Sequence, residues 1–324
     1  MNEVIIRYQE PIFVGPIGGY NIFGSYPDSK LPNSVEETFK FIKESVAHPG
    51  LVAVLKQALV NGVARYEIDE SIIQDRNLLS VIDECKDALK NEGFSIAVSI
   101  PTDEPFSVNG QTYETLKAAF DDVESGTITL ACNSDSSGIA VAEGKDLTLD
   151  LNGYELYMEG PGAGSHGTET NAFQFLKDST IVIKNGILSA HDGIKMLVQN
   201  YSNLVLDNVI LNGSEECLYL CSNNFGNVVF KNGTTFNVVG NNIAFDVYYG
   251  MQAVYDDGVH VTIADDTVKV NGPVEYSKAN RASEEAFEEN ASLTVPADME
   301  LDFNLIPEGY TWVVDGNTKH LAKG

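Results

Sequence analysis

Between Tyr113 and about Tyr276 the chain repeats a short pattern: an alternating strand, an Asn or Asn-Gly corner, and a second short strand. The units cover residues 146–156, 179–188, 202–211, 226–236 and, more weakly, 258–268. Their corner asparagines, Asn152, Asn185, Asn208 and Asn232, recur at a nearly constant spacing after one longer first interval. A unit this short cannot bury its own apolar face, so units must stack, each strand bonding to its equivalents above and below. The corner must turn sharply, and Asn tolerates a left-handed φ while Gly has no Cβ to clash. The spacing predicts a mainly β chain whose residues 106–275 form a single-stranded parallel β-helix. The equivalent corner asparagines would align as an amide ladder along its axis.

The longer first interval holds Gly160-Pro-Gly-Ala-Gly-Ser-His-Gly-Thr-Glu-Thr170, a glycine-rich excursion that reads as an inserted loop. It lacks the Gly-Lys-Ser/Thr ending and the following helix of a phosphate cradle. Ahead of the repeats, Leu116, Ala119, Phe120 and Val123 form a helical stripe, and Gly126 hands over to Thr127-Ile-Thr-Leu130. A helix there would cover the apolar end of the first unit. This helix and strand, followed by Lys145-Asp-Leu-Thr-Leu-Asp-Leu-Asn-Gly153, resemble the start of right-handed parallel β-helix domains of the pectate-lyase-like group. The resemblance covers about half the chain and implies architecture rather than activity, because that solenoid serves lyases, hydrolases, adhesins and phage fibres.

The flanks differ in kind. In the N-terminal arm, 1–33, Pro11, Pro16, Pro27 and Pro32 forbid a helix, yet Ile12, Phe13, Ile17, Tyr20, Ile22, Phe23 and Tyr26 are too apolar for a solvated linker. They read either as a strap over the protein's own core or as an arm docked on another protein. Ser34-Val-Glu-Glu37 has capping-box spacing, so a helix starts there. Further helices are predicted over 51–61 and 77–91 and a strand over 94–100, which makes 34–105 a small α or α+β module. Residues 276–324 read as a small β cap that opens with the acidic run 283–291 and contains the one tryptophan, Trp312.

Charge narrows the function. The 47 acidic side chains against 20 basic ones give a formal charge of −27, which repels nucleic acid and the anionic face of a membrane alike. Met1–Arg7 shows no leader-like pattern, and no stretch of about 18 apolar residues offers a membrane span. Cys85, Cys132, Cys217 and Cys221 lack metal or redox spacing and read as reduced core thiols.

Residues 106–275 contain no arginine. Lyases of the resembled group use an arginine base beside acidic calcium ligands, and that pattern has nowhere to land. Carboxylate pairs for glycan hydrolysis exist as candidates, such as Asp178 with Asp207 or Asp192 beside His191. His166, His191 and His260 are too dispersed for a metal centre, and Asp256-Asp257 and Asp265-Asp266 lack the spacing of a dedicated calcium loop. No catalytic residue, metal or cofactor is assigned. Tyr154, Tyr157, Tyr219, Tyr248 and Tyr249 are candidates for a glycan-binding face.

An apolar N-terminal arm, a small module and a rigid anionic shaft are similar in layout to bacteriophage capsid decoration or head-fibre proteins. The resemblance implies a non-enzymatic virion protein on the outer capsid surface. Its N-terminal region would dock on the major capsid or another virion protein, and the subunits would form homo-oligomers, trimers among them. The alternative is a glycan-binding or glycan-cleaving β-helix protein directed at a host-surface glycan.

Overall fold

The computed structural model describes residues 3–8, 31–47, 50–59, 63–250 and 258–324. The chain divides into two compact units, Met1–Pro101 and Thr102–Gly324.

The first unit contains β1 (Glu3–Tyr8), α1 (Val35–Ser45), α2 (Leu51–Ala58), β2 (Val63–Glu67), α3 (Glu70–Gln74), α4 (Arg76–Lys90) and β3 (Phe94–Ser99). The Val-Ile-Ile run of β1 favours a strand, and β1 lies in the middle of an antiparallel sheet, between β2 and β3. Val4 and Ile6 join Phe39, Ile42, Leu55, Ile82 and Leu89 in one core. Ser34 Oγ accepts from the Glu37 amide at 3.2 Å, which sets the start of α1. Helix α4 closes at Lys90, just short of the expected Asn91, which caps it ahead of Gly93. The 1–33 arm is thereby redrawn, because Glu3–Tyr8 is the central strand of this sheet. The arm residues Ile12, Phe13, Ile17, Tyr20, Ile22, Phe23 and Tyr26 lie outside the described residues.

The second unit starts with β4 (Phe106–Val108), β5 (Gln111–Tyr113), α5 (Leu116–Asp122), β6 (Ser125–Leu130), β7 (Ser134–Ser137), β8 (Ile139–Val141), β9 (Asp146–Asp150) and β10 (Glu155–Glu159). Next come β11 (Asn171–Phe175), β12 (Thr180–Ala190), β13 (Met196–Asn200), β14 (Asn203–Asn212), β15 (Tyr219–Asn223), β16 (Gly226–Lys231), β17 (Thr235–Asn237) and β18 (Ile243–Tyr249). The chain finishes with β19 (Val259–Ile263), β20 (Lys269–Asn271), β21 (Val274–Lys278), α6 (Glu284–Asn290), β22 (Ala291–Pro296), β23 (Phe303–Leu305), β24 (Tyr310–Asp315) and β25 (Thr318–Lys323).

These strands form two large sheets that are parallel through their middles. One runs β6-β9-β12-β14-β16-β19-β22, and the other runs β8-β11-β13-β15-β18-β21-β23. Successive sequence units therefore lie side by side, as the repeat requires. Alternation puts every second residue into one shared core, and register aligns them into rows. In the first sheet Leu147, Ile181, Leu204, Val228, Val261 and Leu293 are consecutive partners. In the second, Ile139, Phe173, Val198, Cys221, Phe245 and Val274 are. All of them are buried in one cluster, each contributing about 1.5–3 kcal/mol if a large aliphatic or aromatic side chain.

The ends of this unit are treated differently. Thr115 Oγ1 accepts from the Ala118 amide at 3.2 Å to start α5, which buries Leu116, Ala119 and Phe120 in the core. At the other end β22 continues the parallel sheet, and the antiparallel hairpin β24–β25 finishes it. The acidic run forms α6, which drives Phe287 fully into the core against Tyr276 and Tyr310, with ring centroids at 4.9 and 5.6 Å. All four cysteines are free and buried, and burial pushes the Cys85 and Cys217 thiols up to about 11. Cys217 lies just ahead of β15, which contains Cys221.

Candidate functional site

The corner asparagines share one backbone state. Asn152, Asn185, Asn208 and Asn232 have φ of 51°, 59°, 58° and 54°, a left-handed conformation that Asn adopts more readily than residues without a short polar side chain. Their side chains form a mixed row. Asn208 Nδ2 donates to Asn185 Oδ1 at 3.1 Å, whereas Asn185 and Asn232 donate to Asp150 and Asp207 at 3.2 and 2.6 Å, and Asn152 to the Leu130 carbonyl at 3.2 Å. Carboxylates placed a position or two ahead of a corner are stronger acceptors than an amide. They also belong to an alternating cross-strand row, Asp150, Lys184, Asp207 and Lys231. Its pairs Lys184–Asp150 and Lys231–Asp207 are each 3.3 Å apart.

A more continuous amide row, not anticipated from the sequence, lies just beyond the corners. Asn271 Nδ2 donates to Asn237 at 2.8 Å, Asn237 to Asn212 at 2.9 Å, and Asn212 to Ser189 Oγ at 3.3 Å, while Ser189 Oγ donates to Glu155. The signal that would have found it is the recurrence of Ser189, Asn212 and Asn237 shortly after Asn185, Asn208 and Asn232.

The second sheet carries the chemically richest group. Ser222, Asp246 and Glu275 are register partners on β15, β18 and β21. Asp246 is only 5% exposed. Its oxygens accept from Ser222 Oγ at 3.0 Å and from the Asn223 amide at 2.7 Å. Burial, aided by the charge of Glu275 and opposed by those two hydrogen bonds, pushes its carboxyl up to about 7. Glu275 accepts from Tyr219 Oη at 3.0 Å and from Asn304 Nδ2 at 2.6 Å. Burial, and then this bond to a carboxylate, drives the Tyr219 phenol well above its ordinary range. Two carboxyl groups, one sealed from water and the other held by a phenol and an amide, thus sit on adjacent strands, which are about 4.8 Å apart.

The other sequence candidates are dispersed. Asp207 is engaged with Lys231 and Asn232, and Asp178 lies elsewhere, lining a cavity with His260. His191 packs edge-on to Tyr157 at 5.0 Å. His166 meets Glu169 at 3.4 Å, and His260 Nδ1 meets Ser292 Oγ at 2.9 Å. Asp265 accepts from the Asn232 and Thr267 amides at 2.8 and 3.0 Å, whereas Asp256-Asp257 lie outside the described residues. Among the described residues no group of three or more His, Cys, Asp or Glu is placed to hold a metal, and no described helix is long and apolar enough to cross a membrane. Of the candidate tyrosines, Tyr249 packs toward Phe287 at 6.2 Å, and Tyr219 is tied to Glu275. Trp312 packs against Phe303 at 5.9 Å, under the ammonium of Lys319.

No family model matches the chain, and comparisons with curated proteins and with solved structures find no match.

Proposed function

We propose that the parallel sheets of the second unit wind as a right-handed β-helix and that the chain is a non-enzymatic virion structural protein. In this reading it is a capsid-surface decoration or head-fibre subunit. The observation that carries it is the self-satisfied polar exterior: the rows led by Asn208, Asn237 and Lys231 bond to one another across strands. Side chains spent on their neighbours stiffen a scaffold and leave little for turnover. The sequence offset between consecutive partners, one repeat unit at each step as in Asn203↔Thr180 and Thr180↔Asp146, supports the winding. The formal charge of −27 supports a solvated shaft that avoids nucleic acid.

Attachment falls to the apolar segment holding Ile12, Phe13, Ile17, Tyr20, Ile22, Phe23 and Tyr26, docked on the major capsid protein or another virion protein, with the subunits assembled as a homo-oligomer, for instance a trimer. Mass spectrometry of purified virions and immunogold labelling test this reading. Absence of the chain from particles sinks it.

A second reading, glycan cleavage, is favoured by one observation, the neighbouring carboxyls of Asp246 and Glu275. Retaining glycosidases place an acid and a nucleophile about 5–5.5 Å apart. Asp246 would protonate the leaving oxygen as Glu275 attacks the anomeric carbon, and water, giving its proton to Asp246, would then cleave the glycosyl ester and free Glu275. Reducing-end release from host polysaccharide, lost in Asp246→Asn and Glu275→Gln, would establish it, and no release by the unaltered protein would remove it.

A further inference from the structure

A cavity of about 200 Å³ opens beside the first parallel sheet, lined by Asp178, Asn203, Phe225, Asn227 and His260 together with the backbone of Gly226. Its strand residues belong to the first sheet, whereas the Asp246 row belongs to the other. Asn227 and His260 are partners on β16 and β19, and Asn203, one residue ahead of the Leu204–Val228 pair of β14 and β16, is hydrogen-bonded to Asn227, so the three side chains stand in one row at strand spacing. Gly226 lets the two backbones beside the cavity approach closely, since a Cβ there would stand 2.3 Å from the Ser202 carbonyl oxygen.

The hydrogen-bonding groups are only partly used. Asn203 Oδ1 accepts from the Asn227 amide at 3.0 Å and from Asn227 Nδ2 at 3.5 Å. Among the described residues, Asn203 Nδ2, Asn227 Oδ1 and the Asp178 carboxylate have no intramolecular hydrogen-bond partner. Asp178 is held at φ 59°, a left-handed state with some backbone cost that fixes where its carboxylate starts. The cavity thus offers a donor amide, an acceptor amide and a carboxylate around one small space, with Phe225 among the lining residues.

We propose that this cavity binds a single neutral sugar residue. Vicinal hydroxyls are at once donors and acceptors and match the amide-and-carboxylate set, and an aromatic residue in the lining suits the apolar face of a pyranose. The volume is below the roughly 300–1,000 Å³ of sites for larger organic ligands, which limits the occupant to about one ring. Among the described residues lining it there is no lysine or arginine, so an anionic sugar would meet Asp178 and a strongly negative chain without a counter-charge. The inference goes beyond the structural reading and stands whether or not the chain is found in virions.

Saturation-transfer NMR on the full chain tests it, with glucose, galactose, mannose and N-acetylglucosamine as probes and galacturonate as the anionic counterpart. At least one neutral sugar should show transfer, reduced about tenfold in Asp178→Asn and in Asn203→Asp, and unchanged in Glu308→Gln, which is exposed and outside the cavity. Asn tolerates the left-handed backbone of position 178, and Asp at 203 keeps the acceptor for the Asn227 amide, so both variants should retain the near-ultraviolet circular dichroism of the parent. No transfer from any neutral probe, transfer undiminished in both variants, transfer from galacturonate alone, or loss on adding a chelator would each overturn the proposal.

Discussion

Ser222 Oγ donates to Asp246 Oδ2 at 3.0 Å across two adjacent parallel strands, inside a wall where the carboxyl is almost sealed from water. Burial raises this acid to about 7, against about 3.9 in an unfolded chain. The folded state therefore prefers the protonated form. The destabilisation is absent below about pH 4, grows as pH rises towards 7, and then levels at something on the order of 4 kcal/mol. Asp246→Asn should melt higher than the parent at pH 8, and this advantage should vanish at pH 4. Thermal unfolding of both proteins at the two pH values checks it, and a pH-independent difference would contradict the assignment.

Asn208, with φ 58° and its amide on Asn185, separates two contributions. Asn208→Gly keeps the left-handed backbone but loses the hydrogen bond, at a cost of about 0.5–1.5 kcal/mol. Asn208→Ala loses both and should cost about 1–2 kcal/mol more. Urea midpoints should fall in the order parent, Gly, Ala.

Glycines of the same unit should differ sharply when given a methyl group. A Cβ on Gly186 would sit 2.2 Å from the Leu151 Cβ and 2.6 Å from the Tyr154 carbonyl oxygen, whereas one on Gly144, at φ 80°, would meet nothing within 4 Å. Gly186→Ala should therefore cost about 3 kcal/mol or more through overpacking, and Gly144→Ala only about 1–2 kcal/mol of backbone strain. Melting temperatures of the two variants decide whether close approach or conformation governs these corners.

Removing the whole 1–33 arm would delete β1 and its ladders to β2 and β3, so attachment is better tested by substitution. Replacing Ile12, Phe13, Ile17, Tyr20, Ile22, Phe23 and Tyr26 with serine should abolish co-sedimentation with capsids while leaving far-ultraviolet circular dichroism unchanged. Retained co-sedimentation would take this segment out of the proposed docking.

The parallel architecture was legible because alternation and corner chemistry act locally: Leu147, Ile181 and Leu204 lie at nearly equal offsets from Asn152, Asn185 and Asn208, and register makes them partners. The helix beginning after Thr115 was legible for the same reason, since a cap and a stripe lie within one short segment. What was hidden depends on neighbours far along the chain. The strand role of Glu3–Tyr8 is decided by β2 and β3, which follow only after α1 and α2. The pairing of Asp246 with Glu275 needed a register between β18 and β21 that no motif announces. Asp178 was visible as an acid, but its companions Asn203, Asn227 and His260 come from three different strands.

The placement of β1 has a mechanical consequence. The stretch 9–30 is spliced between the central strand β1 and the helical part of the same unit, which begins at Val35. A load applied along β1 is shared between the two ladders that flank it, and Val4 and Ile6 tie the strand to the same core as Phe39 and Ile42 of α1. A pull on β1 must therefore break both of its ladders together before the strand can leave the sheet.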